Sequence, residues 1–211
     1  MKRMKRKKVV LAFSGGLDTS YCAAYLAKEK EMEVYSAVVD TGGFSDTEKS
    51  EIKERALRLG VKNHICIDIS SNFYQNCIRY LIYGNVLRNN TYPLSVSSER
   101  FFQSIALIDY AKSIDADAIA HGSTGAGNDQ IRFDVALQVL APEMEIIAPV
   151  REQKLSRQAE IDYLKYAGID ENWEKATYSI NKGIWGTSIG GKETLTSDKA
   201  IPDKAYPTQM T

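Results

Sequence analysis

Ser14-Gly15-Gly16-Leu17-Asp18-Thr19-Ser20 is the stretch whose reading decides the fold. Val9-Val10-Leu11-Ala12-Phe13 precedes it, a short apolar run that reads as a buried strand. After it, Tyr21, Ala24 and Tyr25, with Cys22 and Leu26, fall at helical spacing. A strand, a tight loop and a helix therefore meet here. Gly15 and Gly16 allow a sharp turn and leave backbone N–H groups uncovered. Ser14, Thr19 and Ser20 add hydroxyls, and the helix points its unpaired N–H groups and positive dipole end at the same spot. Such a junction seats a phosphate chain; the plain alternative is a glycine turn between a strand and a helix.

Two common phosphate loops are absent: no G-x-x-x-x-G-K-[ST] string and no G-x-G-x-x-G string occurs. The S-G-G-x-D-[ST]-S string that is present resembles the PP-loop of ATP pyrophosphatases. That resemblance implies cleavage of ATP between its α and β phosphates, with adenylation of an acceptor oxygen and release of pyrophosphate.

The 211 residues suffice for one good core and an appendage. At 44% hydrophobic and 26% charged, the composition is that of a soluble globular chain. A formal net charge of zero gives no global basic field for nucleic acid. No apolar run approaches a membrane span, and Val9–Phe13 is too short for a signal peptide, so the basic start reads as a solvated tail. The three cysteines, Cys22, Cys66 and Cys77, match no zinc spacing. Cys22 and Cys66 read as buried thiols, and a cytoplasmic location is expected.

Further strands are expected at Glu33–Val39, His64–Ile69, Asp117–His121 and Glu145–Ala148, the last stopped by Pro149. Ser45 and Glu48 form a capping-box pair opening a helix with Ile52, Ala56 and Leu59 on one face, closed by Gly60. Other helices are expected over Asn72–Tyr83, Ser98–Ser113 and from Ser156 to about Tyr166, with a long loop over Asn85–Ser97. This alternation predicts an α/β fold, a parallel five-stranded sheet with helices on both faces. Ligands then bind beyond the carboxyl ends of the strands, where the loops Ser14–Asp18, Asp40–Gly43 and Gly122–Asn128 all fall. From about Ile169 the apolar pattern weakens, and the chain reads as a linker or the start of a further unit.

A second site candidate runs from His121-Gly122-Ser123-Thr124 through Asn128-Asp129-Gln130-Ile131-Arg132. Its glycines bring backbone close to a ligand, Thr124 and Asn128 offer neutral hydrogen bonds, Asp129 can hold an amine and Arg132 a carboxylate. The set suits an amino-acid zwitterion; the plain alternative is a surface loop with solvated charges.

This stretch is similar to the H-G-x-T-G-K-G-N-D-Q-x-R-F segment of argininosuccinate synthases, which also open with a loop like Phe13–Ser20. Tyr92-Pro93-Leu94 with Ser97, Ala148-Pro149-Val150-Arg151, and Tyr178-Ser179 with Ser188 resemble further family motifs in order, from about Lys8 to Ser188. The resemblance implies an adenine nucleotide α-hydrolase-like, Rossmann-like fold. It also implies ATP-dependent joining of citrulline and aspartate through citrullyl-AMP, releasing AMP and pyrophosphate, in arginine biosynthesis. It assigns ATP to Ala12, Phe13, Ser14, Gly15, Gly16, Leu17, Asp18, Thr19, Ser20, Val39 and Gly122. It assigns aspartate to Thr124, Asn128 and Asp129, and citrulline to Tyr92, Ser97, Asn128, Arg132, Ser179 and Ser188.

Asp18 and Asp129 are the expected catalytic carboxylates. Magnesium is implied by the nucleotide, with Asp18 the nearest acid; Asp18 is equally an acid favoured by a helix N-terminus, and both roles are compatible. His121 is expected to pack under its loop without a catalytic role. The implied division is an ATP-binding domain over 1–168 and the beginning of a second domain over 169–211. Family members are about twice as long and are expected to be homotetramers, so this chain is expected to bind ATP and turn over poorly. Ala126 replaces the family's lysine, and Val96-Ser97-Ser98-Glu99 replaces a smaller turn. The alternatives are another PP-loop adenylating enzyme and a non-catalytic nucleotide-binding module.

Overall fold

The structure is a computed structural model that describes residues 6–125, 128–169, 171, 173, 178–191, 193, 196 and 198–206. Strand β1 (Lys8–Ala12) is paired on both sides, and Val9, Val10 and Leu11 are fully buried. Side chains alternate across a strand. Val9 and Leu11 accordingly join one apolar cluster and Val10 joins the other. The first cluster lies under helices α1 (Leu17–Lys28) and α2 (Asp46–Arg58), and the second lies on the opposite face.

β1 pairs in parallel with β2 (Glu33–Asp40), which pairs with β3 (Asn63–Asp68). On its other side β1 pairs with β4 (Ala118–Ala120), which pairs with β5 (Glu145–Ile147). The order β3-β2-β1-β4-β5 gives the expected parallel five-stranded sheet with helices on both faces. Strand order reverses between β1 and β4, so the crevice for a ligand opens between their carboxyl ends.

The capping box is present: Ser45 Oγ accepts the Glu48 N–H, and Glu48 reaches back to the Ser45 N–H at 2.8 Å. The helix expected over Asn72–Tyr83 starts at Ser70 and is interrupted: α3 (Ser70–Phe73), a π-helical segment (Tyr74–Ile78) and α4 (Arg79–Tyr83). The next helix, α5 (Ser95–Ser113), begins three residues earlier than expected, behind Leu94 in the left-handed conformation.

Three expectations require correction. No helix is expected between the Gly122–Asn128 loop and Glu145, yet α6 (Asp129–Leu140) forms there, with Phe133, Ala136 and Leu137 buried at helical spacing. A parallel β4–β5 pair needs such a crossover. Pro149 does not merely stop β5; it opens the short helix α7 (Pro149–Gln153), where its missing N–H costs nothing. Cys66 is exposed, because β3 is an edge strand with one face open.

Helix α8 (Arg157–Tyr166), capped by Ser156, packs along α1. Beyond it, the stretch read as a linker contains an antiparallel hairpin, β6 (Ser179–Gly183) and β7 (Gly186–Gly190). Its turn sits on the carboxyl edge of the sheet: the Ile184 N–H donates to Thr41 O at 2.9 Å, and Trp185 Nε1 donates to Pro93 O at 2.7 Å.

Candidate functional site

The loop after β1 turns through Gly15 at φ +77°, a conformation that strains any residue with a Cβ. Gly16 is the N-cap of α1 and supplies no capping side chain, so the first amides of the helix are left to face the loop. Ser14 and Gly16 are exposed, while Phe13, Leu17 and Ser20 anchor the loop in the core. Thr19 Oγ1 donates to Gly16 O at 3.2 Å and lies 3.4 Å from Ser14 Oγ, so two hydroxyls line one wall.

Asp18 is not a free carboxylate. Its carboxyl contacts that of Glu160 on α8, which is 2% exposed, with Arg157 nearby. Burial raises the pKa of Asp18 against the opposing Glu160 bond and Arg157 charge. Burial, then the Asp18 charge, pushes Glu160 up to about 8. Burial and the Asp18 charge thus favour the protonated form of Glu160 near neutral pH. Among the described residues, no group of three or more His, Cys, Asp or Glu could hold a metal ion.

The loop after β4 lies against the same junction. A Cβ at Gly122 would stand 3.1 Å from Asp18 C and from Thr19 N, so only glycine lets the two backbones meet. His121 is buried beneath this loop as expected. Its Nδ1 accepts the Ser123 N–H at 3.2 Å, Nε2 faces Asp134 Oδ1 at 3.1 Å, and its ring stacks on Phe133. Burial lowers its pKa despite Asp134, so the ring is neutral with its proton on Nε2.

Asn128 holds the N-cap position of α6 without a side-chain capping bond, and Asp129 and Arg132 occupy its first turn. Asp129 and Arg132 do not stand apart as solvated charges. Asp129 accepts from Arg132 Nη1 at 2.7 Å and from Arg100 Nε at 3.0 Å. Arg100, on α5, also binds Asn181 of the hairpin. Asn181 pairs across the hairpin with Ser188, which brings Ser188 to this cluster. Thr124 is half-buried in the same loop.

Tyr92 and Ser97 meet: the Ser97 N–H donates to the Tyr92 hydroxyl at 3.1 Å. Burial acts to raise the Tyr92 pKa, but the Ser97 and Ser95 bonds and the Arg132 charge outweigh it and bring it below the ordinary value. Ser97 Oγ is buried beside the Tyr92 hydroxyl. Ala12 is half-buried at the end of β1, and Val39 is buried one residue before the end of β2. Ser179 pairs with Gly190 through its backbone, but its side chain lies outside what is described, as does Ala126.

Arg100 and Glu99 carry no signal in a local motif. Glu99 is 5% exposed, is bonded by Thr41 and packs against Gly183. Burial raises its pKa. Both residues gain their place from α5 running beneath the hairpin.

Sheet order, helices on both faces and an uncapped glycine loop at the switch point define a Rossmann-like nucleotide-binding domain of the PP-loop class. Residues 8–170 match the arginosuccinate synthase N-terminal HUP domain. The argininosuccinate synthase of Sulfurisphaera tokodaii is 39% identical over 199 residues, covering 94% of this chain and 50% of that protein. That of Methanocaldococcus jannaschii is 40% identical over 197 residues, covering 93% and 49%. This chain belongs to the argininosuccinate synthase family. It spans about half the length of these curated relatives. An NH3-dependent NAD synthetase from Campylobacter jejuni aligns with a TM-score of 0.49 at 17% identity, covering 85% of this chain and 72% of that one.

Proposed function

We propose that this chain binds ATP and contributes citrulline and aspartate contacts to the synthesis of argininosuccinate. The ureido oxygen of citrulline attacks the α-phosphorus of ATP, forming citrullyl-AMP and expelling pyrophosphate; the aspartate amine then displaces AMP. Both steps depend on alignment and charge neutralisation more than on an acid–base dyad. Ala12–Ser20 cradle the nucleotide phosphates, Val39 lies at the adenosine side and Gly122 closes the cradle. Thr124, Asn128 and Asp129 hold aspartate, with Asp129 receiving its amine. Tyr92, Ser97, Asn128, Arg132, Ser179 and Ser188 hold citrulline.

The observation that supports this reading is the close approach of the Gly122 backbone to Asp18 and Thr19, the loop read for amino acids beside the loop read for phosphate. Magnesium would arrive on the nucleotide phosphates, with Asp18 the nearest carboxylate and Glu160 beside it. The described helices include none long and apolar enough to cross a membrane, and the cysteines are free. A cytoplasmic location fits those thiols. The homotetramer and a domain boundary near residue 168 belong to the same proposal.

Pyrophosphate release from ATP, measured with and without citrulline, tests the reading. Release only with citrulline supports it. Release with other acceptors supports a different PP-loop adenylating enzyme, and ATP binding without release supports a nucleotide-binding module.

A further inference from the structure

The phosphate loop is held from behind. Gly15 O accepts a hydrogen bond from Arg55 Nη1 at 2.6 Å, although Arg55 lies 40 residues on, in the last turn of α2. Arg55 is itself fixed from two sides. Its Nε forms an ion pair with Glu171 Oε2 at 2.8 Å without hydrogen-bond alignment, and its guanidinium lies 5.7 Å over the ring of Trp173. Trp173 is buried in the core, and the second Glu171 oxygen is taken by Arg58 at 2.7 Å. Residues after α8 thereby reach the loop after β1 through one guanidinium.

The geometry of the peptide unit gives this contact a consequence. The described chain has no cis peptide bonds, and a trans peptide points its C=O and N–H in opposite directions. Pulling the Gly15 carbonyl toward α2 therefore aims the Gly16 N–H away from α2, where it makes only a long 3.5 Å bond to the exposed Ser14 hydroxyl, which a bound anion would replace. That side is where the first amides of α1 converge. A cradle of oriented N–H groups binds an anion only if the groups are already turned inward.

We propose that Arg55, anchored by Glu171 and Trp173, is a positioning residue that orients the Gly15–Gly16 peptide so that the Gly16 N–H faces a bound polyphosphate. Arg55 touches no substrate in this account. The identity of the anion rests on the ATP reading above; the orientation of the peptide is a property of the chain itself. A competing account, in which Arg55 acts only as a nearby positive charge, makes an opposite prediction for Glu171. Removing that carboxylate would then strengthen polyphosphate binding.

The test compares R55M, R55K and E171Q with the unmodified chain by two readouts. The first is amide hydrogen exchange across Gly16–Ser20 without nucleotide, with the Ser20 N–H, bonded to Gly16 O at 2.9 Å, as reporter. The second is calorimetric affinity for ATP and for adenosine, which needs no phosphate cradle. Loss of a charge-assisted bond predicts about tenfold faster Ser20 exchange and about tenfold weaker ATP binding in R55M, with adenosine unchanged. R55K, with one donor able to reach Gly15 O, recovers part of both. E171Q, which keeps the Arg55 charge, weakens ATP binding about threefold. Unchanged loop exchange in R55M, or ATP affinity in E171Q equal to or above the unmodified chain, overturns the proposal. If R55M fails to fold, E171Q and R55K decide it by the same readouts. If the unmodified chain binds no ATP while the variants loosen the loop, the positioning role stands and the ATP reading falls.

Discussion

The carboxyl pair between α1 and α8 makes a quantitative prediction. Glu160 is 2% exposed and sits against Asp18, with Arg157 the nearby positive charge. In the unfolded chain its carboxyl titrates near 4.5, whereas in the native state burial and the Asp18 charge hold the proton until about pH 8. Between those values the native state carries a proton that the unfolded chain has lost. Stability therefore falls as pH rises, by about 1.4 kcal/mol per pH unit. At pH 7 the accumulated penalty is about 3 kcal/mol. Glu160→Gln keeps the shape and the donor of the protonated acid and has no proton to retain. E160Q should match the unmodified chain below pH 4.5 and exceed it by about 3 kcal/mol at pH 7, roughly 8 °C in Tm for a chain this size. Urea unfolding at pH 4.5, 6, 7 and 8.5 measures the difference. Two parallel pH–stability curves, or an E160Q chain less stable at pH 8.5, would refute the raised Glu160 pKa.

His64 should act with the opposite sign: burial, then the Lys53 charge, lowers its pKa to about 4 while Ser36 Oγ holds Nδ1 at 2.7 Å. The native ring stays neutral as the unfolded chain takes up a proton, so stability falls as pH drops from 6.5 to 4, and H64Q should flatten that decline in urea titrations. Gly43→Ala places a Cβ onto the Lys182 carbonyl, so the hairpin must lift; hydrogen exchange at the Ile184 N–H should quicken about tenfold while the core sheet is unchanged. Asp129→Asn removes the charge between Arg100 and Arg132, and calorimetry should show aspartate binding lost with ATP affinity within about twofold.

The residues that misled the sequence reading are informative. Asp129 and Arg132 read as ligand-holding residues in a loop, yet Phe133, Ala136 and Leu137 behind them keep helical spacing. A ligand-like cluster in a first helical turn hides the helix, because acids at that position favour the N-terminus as well. The hairpin at 179–190 has few apolar residues of its own. It is held instead by Thr41, Pro93 and Arg100, none of which its own pattern reveals. Cys66 looked buried because its strand is apolar, but strand apolarity does not say which strand lies at an edge.

What the amino-acid sequence determined alone was local. The β1–loop–α1 junction, the Ser45–Glu48 capping box and the motif order from Phe13 to Ser188 each depend on residues a few positions apart, where backbone geometry leaves few outcomes. Tertiary structure decided which distant groups complete the site. Arg55 behind Gly15, Glu160 against Asp18, and Arg100 between Asp129 and Asn181 come from elements far apart in the chain. Their partners were chosen by strand order and helix packing, and a charge on a helix surface carries no local mark of the loop it will meet once the sheet has assembled.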